Sequence, residues 1–312
     1  MAEEQIKTEA QETREVQTNA ENHAPRPRKR KKEREFRRVK SVPPMTAMIP
    51  FIMVNRVGAQ NFIHDTTDVE KLERYIKEKQ QAGMVNLSMM HVMIAAYIRL
   101  VAARPALNRF IRGQRIWTRR HVEVSLVIKK EMRLDAPDSA VKISLLPDVT
   151  LEDVYNALND KIVSYRDNPE SSFDDTARWL SSIPSLFLKF TIAFLRFLDY
   201  FGLLPKALAE VSPFHCSYFI TSMGSLGIPP IYHHLYDFGT CPVFFAFGAK
   251  RRVYETDSSG VVKKKQYMDY TFVTDERICD GYYYASALKY LHSIFRNPWQ
   301  LDERPEVIPD VD

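Results

Sequence analysis

Residues 266–298 read QYMDYTFVTDERICDGYYYASALKYLHSIFRNP. The first part continues a run from Val261 to Val273 that is rich in β-branched and aromatic residues, and it is expected to be a strand. The second part, YYYASALKYLHSIF, is expected to be a helix. Asp280-Gly281 opens it and Asn297-Pro298 closes it. Upstream, Pro242–Tyr254 reads as another strand, and DSSG at 257–260 joins the two as a hairpin.

Working outward, Ser217–Ser222 is a further short strand. Thr150–Tyr165 is a helix with Thr150 as its cap, and Val141–Leu146 is a strand. His121–Met132 alternates like a half-buried strand, with Val122, Val124 and Leu126 on one side. The stretch NLSMMHVMIAAYIRLVAARPALNRF, from Asn86, starts a helix at Ser88 and ends it at Pro105. It is apolar nearly all round, so it is expected to be buried. Asp68–Gln80 spaces Val69, Leu72 and Ile76 as one helical face, and residues 50–64 are expected to enter the core. The mixture of strands and helices, with no internal repeat, is that of an α+β domain.

The chain has 312 residues, 45% hydrophobic and 12% aromatic, enough for a sizeable core. Its net charge of +5 is local. Residues 26–40 hold ten Lys/Arg and two Glu, whereas residues 1–25 hold two Lys/Arg and six Glu. The rest is nearly neutral, which does not suit a fold that itself grips nucleic acid. Residues 1–40 are therefore expected to be a disordered charged tail, and 41–312 the folded domain. The basic run within the tail, 26–40, suits either a solvated segment or a contact with RNA or an anionic membrane surface. Cys216, Cys241 and Cys279 are widely spaced with no Cys-x-x-Cys pair, so neither a metal site nor a disulfide framework is indicated. MAEEQIKTEA has no apolar signal region, and the protein is expected to be cytoplasmic.

Residues 183–208, IPSLFLKFTIAFLRFLDYFGLLPKAL, are the most hydrophobic stretch, interrupted by Lys189, Arg196 and Asp199. Charges at mid-membrane are costly, so a span is disfavoured. An amphipathic helix packed on the domain or on a neighbouring subunit, or one lying on a membrane surface, fits better.

Between the strand and helix quoted first stands Asp275-Glu276-Arg277-Ile278-Cys279-Asp280-Gly281. It resembles the Asp-His-Arg-x-x-Asp-Gly signature of the catalytic domain of 2-oxo acid dehydrogenase dihydrolipoyl acyltransferases, with only the histidine changed. Three further segments agree in order. Pro105-Ala106-Leu107-Asn108 resembles the turn after the family's buried helix. FITSMGSLGI at 219–228 resembles its glycine-rich turn, and PVFFAFGA at 242–249 the strand that follows. The resemblance spans about residues 45 to 300 and departs at 183–208, an apolar helical insertion. It implies a chloramphenicol acetyltransferase-like α+β fold: a mixed-sheet sandwich with flanking helices. It also implies a homotrimer with the active site between subunits and coenzyme A or acyl-coenzyme A as substrate.

In that family a histidine is the general base and a hydroxyl stabilises the oxyanion. Carried over, Thr221 takes the hydroxyl position and Ser222 its neighbour's. Asp280 and Gly281 keep the turn, with Asp280 expected to pair with an arginine, and Arg277 is present. Glu276 stands in place of the base. An ordinary glutamate, with a pKa of about 4.3, is a weak base toward a thiol near 8.5, although burial raises a carboxyl. Two readings stay open. Either Glu276 acts as base, or it forms a salt bridge, with Arg277 or a neighbour, in a catalytically inactive binding or scaffold protein. His233-His234, in YHHLYDFGT, offer a substitute imidazole or a hydrogen-bonded pair that fixes the loop. His91 and His215, in apolar contexts, are expected to be structural. No Asp-Lys-Ala lipoylation motif occurs, and the tail is too short and charged for a lipoyl domain. The function expected is thus coenzyme A-dependent transfer to a thiol, amine or hydroxyl acceptor. The protein would act alone or with a separate acyl carrier, with no lipoyl group of its own.

Overall fold

A computed structural model describes residues 35–129, 138–167, 178, 180–256 and 258–311. Residues 1–34 of the expected tail, 130–132 of the expected strand and Asp257 of the expected hairpin turn lie outside them. The chain enters through β1 (Phe36–Arg38) and α1 (Pro44–Ile52). Pro44 starts α1 at the position where a missing N–H costs nothing. Of residues 50–64, expected to enter the core, Pro50 and Ala59 are buried and Ile63 packs against the main core, while Phe51, Ile52, Val54, Val57 and Phe62 stay exposed. The sheet begins at β2 (Gln60–Asp68). α2 (Glu70–Gln81) turns Leu72 and Tyr75 inward. α3 (Met89–Ala103) is buried at every residue from His91 to Ala102.

Local chemistry sets the ends of α3. The His91 Nδ1 accepts from the Ser88 backbone N–H at 3.1 Å, a capping box with histidine in the usual glutamate place. Pro105 forbids helical backbone at Arg104 and stops it. There follow β3 (Arg109–Arg112), β4 (Arg115–Arg119), β5 (Val122–Lys129), β6 (Asp138–Leu145) and α4 (Leu151–Asp167). The insertion forms α5 (Ser185–Phe201) and α6 (Lys206–Val211). β7 (Tyr218–Ser222), β8 (Val243–Thr256), β9 (Val262–Asp275) and α7 (Gly281–Arg296) complete the chain.

Six strands form one mixed sheet in the order β2-β9-β8-β7-β5-β6, and β1-β4-β3 form a second. β7 runs parallel to both β5 and β8, and the remaining pairs are antiparallel. The side-chain period of two gives the large sheet two unlike faces. Ile220, Phe245, Phe247, Tyr270 and Phe272 face the main core, under α3 and α7. There Phe245 stacks on Phe272 at 4.3 Å, and Tyr97 of α3 lies 3.9 Å from Tyr218. The opposite face carries Phe219, Phe244, Ala246 and Val273, covered by Leu235. The fold is α+β, as expected.

The 183–208 stretch breaks into two helices because Gly202 takes the left-handed conformation, φ +70°, and closes α5 with the Leu203 N–H on the Leu198 carbonyl. Asp199 is the one buried residue of α5. Its Oδ2 accepts from the Gly239 N–H at 3.1 Å, and its Oδ1 lies 3.1 Å from His215 Nε2. Burial opposes the charge on Asp199, but His215, Arg112 and the Gly239 amide outweigh it and hold the carboxyl below its usual range. His215 also meets Ser212 Oγ at 2.8 Å. Among the described residues no helix is long and apolar enough to cross a membrane. Phe245→Ala would empty the centre of the main core. A loss of about 3–5 kcal/mol is expected in urea unfolding followed by circular dichroism.

Candidate active site

β9 ends on Asp275, a carboxylate that is fully buried. Such a group is stable only if paired and hydrogen-bonded. Arg277, two residues on, grips it with two bonds of 2.8 Å, Nε to Oδ1 and Nη2 to Oδ2. Arg56 adds a third from its Nε at 3.3 Å. Both guanidiniums are themselves buried, so each must place its other protons. Arg277 Nη1 donates to the carbonyls of Met53 and Val54 at 3.2 and 3.1 Å. Arg56 Nη2 donates to Gly239 O at 2.9 Å, and Nη1 to Tyr236 O. One carboxylate thereby ties together the loop after α1, the loop before β8 and the turn before α7.

That turn carries Glu276. Its backbone N–H donates to Ala59 O at 2.8 Å, so its place is fixed. Its side chain is partly exposed, and among the described residues the carboxylate has no ion-pair or hydrogen-bond partner. The salt bridge to Arg277 held open from the sequence is not formed, because Asp275 already occupies Arg277. Asp280 also departs from expectation. It is exposed and caps α7, accepting from the Tyr283 N–H at 2.8 Å, and Asp275 rather than Asp280 is the arginine-paired acid. Gly281 is the first residue of α7.

Thr221 and Ser222 end β7 and are partly buried. The turn beyond them needs Gly224, because a Cβ there would lie 2.8 Å from the Gly248 carbonyl oxygen. Thr221 pairs with Ala246, which pairs with Thr271. Asp275 therefore lies four residues further along and two strands across, roughly 16 Å from Thr221 at standard strand spacings. Glu276 is beyond it. Within one chain the expected base and hydroxyl cannot meet.

His233 and His234 lie elsewhere. The segment after the glycine turn crosses the second face of the sheet, where Thr271 Oγ1 donates to Ile231 O at 2.6 Å. The His233 ring stacks on Phe244 at 4.2 Å and on His234 at 4.6 Å. Its Nδ1–H donates to the His234 carbonyl at 2.8 Å, leaving Nε2 as an acceptor. Burial pushes the His233 imidazole below its usual value. Thr221 has the same strand parity as Phe219, the partner of Phe244, so His233 and Thr221 share one face. The backbone positions of Thr221 and Phe244 are roughly 8 Å apart on these spacings. His234 is exposed and packs its ring edge-on against Tyr236. Cys279 is no nucleophile, since burial raises its thiol to about 12.

Beside Arg277 a cleft of about 280 Å³ opens between the loop after α1, the β3–β4 turn and the end of α5. Arg112 and Arg196 line it with Asn55, Gln114 and Tyr200. The Arg112 guanidinium lies over the rings of Phe36 and Phe110, at 5.3 and 5.2 Å. Asp199 and Asp237 line it too, so four guanidiniums meet two carboxylates there. Sequence reading missed Arg56 and Arg112 because both act on segments far away along the chain.

The unequal roles of the two neighbouring acids can be measured by urea unfolding. Asp275→Asn leaves two buried guanidiniums without their anion and is expected to cost about 3–5 kcal/mol. Glu276→Gln is expected to stay within about 0.5 kcal/mol.

No protein-family model matches the chain, and no curated protein matches it. Solved structures do match. A dihydrolipoamide acetyltransferase from Azotobacter vinelandii superposes with a TM-score of 0.53 at 12% identity, covering 89% of this chain and 98% of that one. A probable dihydrolipoamide acetyltransferase from Listeria monocytogenes gives 0.51 at 12% identity, covering 82% and 94%. This chain has the fold of these dihydrolipoamide acetyltransferases.

Proposed function

We propose that the protein is a coenzyme A-dependent acyltransferase that works as a homotrimer. It would pass an acyl group to a thiol, amine or hydroxyl acceptor, free or on a separate carrier. The observation that carries the reading is His233, a neutral imidazole with Nε2 available, on the sheet face that holds Thr221. In the Azotobacter vinelandii acetyltransferase, a serine, a histidine and an asparagine have a role in the catalytic mechanism. Thr221 and His233 offer the same hydroxyl and imidazole chemistry.

On this reading Nε2 of His233 takes the acceptor's proton as the acceptor attacks the thioester carbonyl. The Thr221 hydroxyl donates to the oxyanion. Collapse of the tetrahedral intermediate expels the thiolate of coenzyme A, which recovers the proton from the imidazolium. The guanidinium-lined cleft would take the phosphates of coenzyme A. The homotrimer follows from the resemblance to the dihydrolipoyl acyltransferase catalytic domain, while the proposed His233–Thr221 pair lies within one chain.

Release of free thiol from acetyl- and longer acyl-coenzyme A, across a panel of acceptors, tests it. His233→Ala is expected to lower kcat by about 10²–10⁴-fold. Thr221→Val is expected to lower it by about 10²–10³-fold. Glu276→Gln is expected to change it by less than about tenfold, since it removes no proton-transfer group. Because burial lowers the His233 pKa, kcat/KM should be flat at neutral pH and fall as the pH drops through a value below about 6.5. Loss of turnover in Glu276→Gln with full turnover in His233→Ala would move the base to Glu276. No thiol release from the unaltered protein with any acceptor would support the inactive binding protein instead.

A further inference from the structure

Two buried thiols meet where β7 and β8 begin. Cys216 lies two residues before β7, and Cys241 two residues before β8. The strands run parallel with Phe219 opposite Phe244, and this register, carried back, brings Cys216 beside Cys241. Neighbouring strands are roughly 4.8 Å apart, within the backbone separation that a disulfide spans. The segments leading into the two strands are tied together, since the N–H groups of Thr240 and Cys241 both donate to the Phe214 carbonyl, at 2.9 and 3.0 Å. The Cys216 and Cys241 side chains hydrogen-bond to each other, whereas Cys279 bonds to Tyr284.

The surroundings of the pair are cationic. Arg119 is buried, and its Nη2 donates to the Thr240 carbonyl at 3.2 Å and to the Thr240 Oγ1 at 2.5 Å. Its Nε lies 3.5 Å from Glu123 Oε2, and its Nη1 has no hydrogen-bond partner among the described residues. Arg56 Nη2 donates to the Gly239 carbonyl. Two guanidiniums thus sit on the residues that lead into Cys241. Burial opposes a charge on Cys241, but the Cys216 thiol, Arg56 and Arg119 outweigh it and hold the group below its usual range. Cys216 goes the other way, because burial pushes its thiol up and keeps it protonated. An inert structural cysteine has no such cationic setting, and a reactive one does. The cleft beside Arg277 is also lined by Phe238, Gly239 and Thr240, which brings a small oxidant to the residue before Cys241.

We infer that Cys216 and Cys241 form a redox-active dithiol that hydrogen peroxide converts to a disulfide. The inference does not depend on the catalytic reading. The Cys241 sulfur attacks one peroxide oxygen and breaks the O–O bond. This gives a sulfenic acid and a hydroxide, which becomes water with the proton that Cys241 released. The Cys216 sulfur then attacks the Cys241 sulfur, forms the S–S bond and expels the hydroxyl, which leaves as water with the Cys216 proton. Two thiols and one peroxide become one disulfide and two waters. Mass spectrometry tests it on the full chain, treated with hydrogen peroxide while folded, then alkylated with N-ethylmaleimide in urea and digested with trypsin without reduction. Residues 207–250 form one tryptic peptide that holds both cysteines. After peroxide it is expected without alkyl groups and lighter by two hydrogens than the dithiol, with Cys279 alkylated, and dithiothreitol should restore both thiols. Cys216→Ser should lose the disulfide and carry a sulfenic acid on Cys241 that dimedone captures, and Cys241→Ser should lose both products. The unaltered chain decides the matter even where a variant fails to fold. Three outcomes overturn the inference. One is an unaltered chain with both thiols still alkylated after peroxide, and another is a disulfide that forms only when peroxide is added in urea. The third is a folded Cys216→Ser chain that takes up no dimedone after peroxide.

Discussion

A single buried carboxylate organises the end of the sheet that carries Glu276. Asp275 is shut away from water and would be intolerable alone. Arg277 and Arg56 neutralise it, and each then has protons left that only backbone carbonyls of distant loops can accept. Forming one ion pair thus forces the loop after α1, the loop before β8 and the turn before α7 into a fixed relation. Stability is not the main return on such a cluster, since well-packed apolar groups serve as well. Its return is geometry: the turn that carries Glu276 has one place to be.

The sheet order then limits what chemistry one chain can do. The Asp275 end of β9 and the Thr221 end of β7 lie at opposite levels of the sheet, with β8 between them. Glu276 is held at one level and the hydroxyl at the other. In the proposed mechanism, the segment that crosses the second face supplies the base. It is pinned by Thr271 to the Ile231 carbonyl and by Leu235 in the small apolar cluster, and it sets His233 flat on Phe244. The stacked ring is desolvated and its Nδ1 is committed to a carbonyl, which together favour a neutral imidazole of one tautomer.

Much of this was legible from local sequence, and the limits are instructive. The strand, turn and helix of 266–298 appear where the residues place them, because β-branched residues, a capping aspartate and a terminal Asn-Pro act within a few positions. Ser88 and Pro105 bound α3 for the same reason. Partnerships across the chain were not legible. Arg56 lies 219 residues from Asp275, and nothing in the order of residues reveals that Asp275, rather than Asp280, takes the arginines. Gly202 broke the long apolar stretch into α5 and α6, a left-handed cap that the continuous hydrophobicity of 183–208 concealed. Of residues 50–64 only Pro50, Arg56 and Ala59 are buried, with Ile63 packed on the core, since the helix turns most of its apolar residues outward and the sheet takes the core.

In the proposed mechanism an imidazole on the Thr221 face takes the part that the resembled signature gives to the residue after Asp275. A crystal structure of the protein with coenzyme A tests this most directly. The expected result places the thiol sulfur within hydrogen-bonding distance of His233 Nε2 and beside the Thr221 hydroxyl. A sulfur seated against the Glu276 carboxylate, with His233 out of reach, would contradict it.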